Sequence, residues 1–132
     1  MILSTSVNKK HSNRIEKVCI RYLILSLICG LFGAIYECFS HEVYSFYMIY
    51  AFAFLLILGF VPYFVMYIKK IDIISNFWNC GTATLTMGSI VKGILDIYGT
   101  TNSLVSFYWV VGIALLIMGA ISFTIEFTKL VR

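Results

Sequence analysis

Long apolar runs separated by very short polar connections constrain this chain more than any other feature. Ala51–Val61 and Val110–Ile121 contain no charged or hydroxyl-bearing side chain. A bilayer core about 30 Å thick is crossed by a helix of about 20 mostly apolar residues. Four segments meet that requirement, at about residues 18–39, 46–68, 74–97 and 104–127. The connections at 40–45, 69–73 and 98–103 are short enough to make sequential helices antiparallel neighbours. The expected architecture is therefore all-α: an integral membrane bundle of four antiparallel transmembrane helices. It occupies residues 16–132, after a polar, basic segment at 1–15 that is expected to be mobile or to lie on the membrane surface. A transmembrane β-barrel is disfavoured, because its strands alternate apolar and polar residues.

Composition supports this reading. Of 132 residues, 61% are hydrophobic and 12% charged. Soluble domains carry about 25% charged residues, and a small domain has too much surface for its volume to hide the excess apolar area. A soluble enzyme, a nucleic-acid-binding domain and a disordered tail are excluded. The first span has a basic start, yet no small-x-small site follows it, so it is read as a retained helix rather than a signal peptide.

Charge sets the orientation. Lys9, Lys10, Arg14, Lys17, Arg21, Lys69, Lys70, Lys129 and Arg132 fall on one side of a four-span arrangement, and only Lys92 falls on the other. Basic residues in short loops mark the cytoplasmic side. Both termini are expected inside, in a bacterial cytoplasmic membrane. The net charge of +4 thus reflects topology and the lipid bilayer as partner, with no nucleic acid. Tyr44, Phe46, Tyr47, Tyr98, Tyr108 and Trp109 are expected in an outer aromatic belt, and Tyr63, Phe64, Tyr67, Phe77, Trp78 and Phe127 in an inner one.

Membrane helices associate through small residues. Gly30 with Ala34, Gly81 with Gly88, and Gly112 with Gly119 are the expected packing faces, within the chain or between copies. Pro62 is the only proline, and with Gly59 it predicts a bend around 58–62. The four cysteines form no CxxC and act as small apolar residues, although Cys19 and Cys80 would approach if the first and third spans touched.

Two features carry what chemistry the chain has. Asn79, Thr82, Thr86, Ser89 and Gly93 share one face of the third span, which either bonds neighbouring helices or lines a narrow hydrated path. Near the outer surface, Glu37 and His41 are four apart, as are Lys92 and Asp96, and the four would form one network if the first and third spans adjoin. The ligand- or ion-binding candidates are therefore Glu37, His41, Asn79, Thr82, Thr86, Ser89, Lys92 and Asp96. An outer metal site built from Glu37, Cys38, His41 and Asp96 matches no zinc motif, so neither metal nor cofactor is assigned. No phosphate loop, GxSxG or HExxH occurs, and no catalytic residue is expected. The sequence points first to a small transporter or ligand-binding membrane module. A non-catalytic accessory subunit of a larger membrane complex is the alternative, and an outer-facing metal-binding protein a weaker one. Homo-oligomerisation through the glycine faces is compatible with any of them.

Overall fold

The computed structural model describes residues 2–39 and 44–132, with side chains placed from residue 14 onward within those spans. Residues 40–43, and with them His41, lie outside the described residues. The described chain is all helical and contains no strand. Helix α1 spans Ile2–Phe39. A second rod follows, built from α2 (Phe46–Ile49), α3 (Ala51–Phe54), a π-helical turn (Leu55–Phe60) and α4 (Val61–Ile68). Helix α5 spans Asn76–Ile97 and α6 spans Val105–Val131. Three stretches are long and apolar enough to cross a membrane: Arg14–Phe39, Ala51–Ile68 and Val105–Val131. Helix α5 has the length, with 22 residues, but its amides, hydroxyls, Lys92 and Asp96 keep it from joining them.

Local chemistry explains the boundaries. No glycine or proline precedes Gly30, so α1 runs without a break from Ile2 through the basic stretch that the sequence sets apart from the spans. At about 1.5 Å per residue its 38 residues extend about 57 Å, well beyond a bilayer core. Ser75 caps α5, its Oγ accepting from the Trp78 N–H at 3.4 Å. Helix α4 ends with Lys70 in the left-handed region (φ 55°), where the N–H groups of Lys70 and Ile71 bond back to Tyr67 and Met66. Helix α5 ends the same way at Gly99 (φ 68°), which suits that conformation without a side-chain penalty.

The helices stack in chain order. Helix α1 packs along the second rod, the rod along α5, and α5 along α6; α1 approaches neither α5 nor α6 at backbone packing distance among the described residues. The result is a row with α5 enclosed on two sides. It differs from the compact bundle that short connections suggest, because among the described residues α1 and α6 make no contact at backbone packing distance.

Glycines set the spacing of the α5–α6 pair. A Cβ on Gly81 would lie 2.9 Å from the Leu116 backbone N, and one on Gly119 would lie 2.6 Å from the Trp78 backbone N. Gly88 seats Tyr108, and Gly112 seats Leu85. The contacts ascend one helix as they descend the other. Each glycine receives a larger residue from its neighbour, and the seven-residue spacing keeps both stripes on one seam. On α1 the close approach belongs to Gly33, whose Cβ would lie 3.1 Å from the Met48 carbonyl oxygen, and not to Ala34, which is exposed. Gly30 faces Phe52 across ordinary contact. The Gly30-to-Ala34 spacing suggested one stripe, but the seam with the second rod turns toward position 33.

Gly119→Val is expected to destabilise the fold by about 1–3 kcal/mol, since the added side chain meets fixed backbone rather than a mobile side chain. Ala120→Leu, on the exposed face, should change stability by no more than about 0.5 kcal/mol. Denaturant unfolding in detergent micelles measures both.

Candidate functional site

The polar groups of α5 are engaged at three levels. In the middle, Thr82 and Thr86 are buried and donate to carbonyls one turn back on their own helix, Trp78 at 3.0 Å and Thr82 at 2.8 Å. A hydroxyl bonded this way needs no water. Ser89, also buried, donates across to the Tyr47 carbonyl at 2.7 Å and fastens α5 to α2. Gly93 lies one turn further on, where its Cβ would meet the Met48 backbone N at 2.9 Å.

Toward the C-terminal end of α5, Lys92 and Asp96 form an ion pair of 2.5 Å, both side chains about 30% exposed. Ser45 donates to the other Asp96 oxygen at 3.4 Å, and the Lys92 ammonium lies 5.7 Å from the centre of the Tyr47 ring. The cluster therefore clasps α5 to the start of α2. The second rod lies between the backbones of α1 and α5, the two helices on which the expected four-residue network with Glu37 and His41 draws. Glu37 is half-buried on α1, and His41 is outside the described residues. Among the described residues no three His, Cys, Asp or Glu side chains gather as metal ligands. All four cysteines are free: Cys19 and Cys29 are buried, Cys38 and Cys80 exposed.

The N-terminal end of α5 holds the most connected arrangement. Asn79 Oδ1 accepts from two tyrosine hydroxyls, Tyr22 at 2.8 Å and Tyr63 at 2.7 Å. One amide oxygen with two lone pairs is thereby shared by α1, α4 and α5. The Tyr22 and Tyr63 rings stack with centroids 5.8 Å apart. Phe123 of α6 meets Tyr63 edge-on at 6.1 Å and Trp78 at 5.6 Å. Tyr63 is 0% exposed, so it is a core residue and not part of an inner aromatic belt. Trp78 is half-buried and directed inward too, whereas Phe64, Tyr67, Phe77 and Phe127 are exposed, as a belt requires.

Trp78 also resolves the helix defect. Proline at position 62 has no N–H to give the Leu58 carbonyl and its ring crowds that oxygen. The rod responds with the π-helical turn Leu55–Phe60, and the Trp78 indole N–H donates to the Leu58 carbonyl at 2.7 Å. A freed carbonyl in an apolar setting is costly unless a neighbouring helix supplies a donor. The bend expected from Gly59 and Pro62 is thus a π turn held from outside. Gly59 has a separate use: a Cβ there would overlap the Tyr22 ring. Spacing along α5 revealed Asn79 but not Tyr22, Tyr63 or Trp78. The available signal was Pro62 itself, which leaves one carbonyl in search of a donor.

Comparison with protein-family models, with curated proteins and with solved structures yields no match for this chain. Its functional reading rests on its own residues.

Trp78→Phe removes the donor and should destabilise the fold by about 1–3 kcal/mol by leaving the Leu58 carbonyl unsatisfied. In a double-mutant cycle, Pro62→Ala restores a backbone N–H near that carbonyl and should reduce the cost of Trp78→Phe. Additive effects would show that the two residues do not serve the same oxygen.

Proposed function

We propose that the chain is a four-span protein of a bacterial cytoplasmic membrane, with both termini inside, acting as a non-catalytic subunit of a larger membrane complex. Helix α5 serves as the fourth crossing. Its polar residues face protein on two sides, which lowers the apolar content it needs. The nine basic residues grouped on one side of that arrangement support the orientation.

The observation that carries the assembly reading is the engagement of the α5 polar face. Thr82, Thr86 and Ser89 are buried and bonded within the protein, and Asn79 accepts two tyrosines. That face therefore acts as interhelical glue. The surfaces left for recognition are the apolar flanks at the two ends of the row, α1 and α6. On α6, Ile113, Ile117 and Ile121 form an exposed stripe at helical spacing. Gentle extraction should yield this chain with a stoichiometric membrane subunit that Ile117→Trp releases. A homo-oligomer without a second polypeptide would overturn the reading.

A transporter or ligand-binding role is the second reading, and the half-exposed Lys92–Asp96 pair is the observation that favours it. Under that reading, Lys92→Gln and Asp96→Asn would abolish flux in reconstituted vesicles while leaving helix content unchanged. Orientation has its own check. Cys38, near the C-terminal end of α1, and Cys80, near the N-terminal end of α5, are both exposed, so under this orientation a membrane-impermeant thiol reagent should label Cys38 from outside and Cys80 only from the cytoplasm.

A further inference from the structure

Helices α4 and α6 do not pack backbone to backbone, although α5 adjoins α6 and the second rod adjoins α5. The gap between them is a cleft of about 540 Å³ at the basic end of the molecule. Its walls are apolar, formed by Val65 and Met66 from α4, Phe123 and Phe127 from α6, and Ile73 from the connecting loop. Lys69 stands at its rim. A second open cavity, of about 550 Å³, shares Phe127 and Thr128 with the first and adds Lys129 and Arg132. Each volume falls within the range of about 300–1,000 Å³ typical of small-molecule sites.

The polar content of this region is almost entirely cationic. The Thr124 hydroxyl donates to the Ile121 carbonyl at 2.8 Å, and the Thr128 hydroxyl to the Thr124 carbonyl at 3.0 Å, so both are occupied by their own helix. Asp72 lies on the same loop but toward Arg14, at 3.9 Å. Glu126 lies on α6 outside the lining of either cavity. An apolar trough lined by Lys69, adjoining through Phe127 and Thr128 a cavity lined by Lys129 and Arg132, complements an amphiphile with a long apolar tail and a negative head.

We propose that this cleft binds one anionic phospholipid, its acyl chain lying against Val65, Met66 and Phe123 and its phosphate among Lys69, Lys129 and Arg132. Basic pockets between membrane helices on the cytoplasmic side select anionic headgroups in this way. The site rests on the inside placement of that end argued above, which Cys80 labelling reads separately, so the failure of one is distinguishable from the failure of the other.

The test uses the full chain in phosphatidylcholine vesicles doped with spin-labelled phosphatidylglycerol or spin-labelled phosphatidylcholine. The wild-type protein should immobilise the anionic probe in preference to the neutral one. Each of Lys69→Gln, Lys129→Gln and Arg132→Gln should lower that preference by about fivefold, and the triple variant should bring it to parity. Val65→Trp fills the cleft and should reduce the immobilised anionic lipid with the basic residues intact. Thr124→Leu narrows the same cleft from an exposed position and serves if the tryptophan variant does not fold. Equal immobilisation of both probes by the wild type, or an undiminished preference in the triple variant, would overturn the proposal. So would unchanged binding in a folded cleft-filling variant, or full displacement by glycerol phosphate alone.

Discussion

The indole N–H of Trp78, donated to the Leu58 carbonyl, is the contact around which the other packing is organised. One residue of α5 meets three demands there. Its side chain supplies the donor that Pro62 lacks, its ring packs against Phe123 of α6, and its backbone lies close enough to α6 that only glycine fits at position 119. The second rod, α5 and α6 are thus pinned at one level. In an apolar solvent the penalty for leaving a carbonyl unbonded is large, so the defect in the rod and the position of its neighbour are coupled.

The rest of α5 follows from having protein on two sides. Its glycine seam faces α6, and its amide and hydroxyl face meets the second rod. The shared acceptor Asn79 and the Lys92–Asp96–Ser45 clasp hold the two ends of the same contact. Between them, Thr82 and Thr86 close onto their own helix. A helix too polar to face lipid all round becomes the best-packed element of the fold. The flanking helices α1 and α6, whose apolar residues suit lipid, are left on the outside.

This division separates two kinds of surface. The interior seam spends its polar groups on cohesion. The exterior offers apolar helix flanks and, at the basic end, an apolar cleft with Lys69 in its lining next to a cavity lined by Lys129 and Arg132.

The amino-acid sequence by itself determined the helical class, the ends of the second rod at 46 and 68, and the Lys92–Asp96 pair. All of these depend on neighbours within one helix or on the length of an apolar run. It also marked Pro62 as a defect and Asn79, Thr82, Thr86 and Ser89 as one face. Tertiary structure decided what those residues meet. It placed the second rod between the backbones of α1 and α5, and it leaves Cys19 and Cys80 as free thiols. It also moved Tyr63 from an expected interfacial belt into the core, chose Gly33 over Ala34, and brought Trp78 to the Leu58 carbonyl. Helical periodicity states which residues share a face, but rotation and neighbour order are set by which small residues allow the closest approach and which freed backbone groups need a donor. Those choices arise only when several helices pack together.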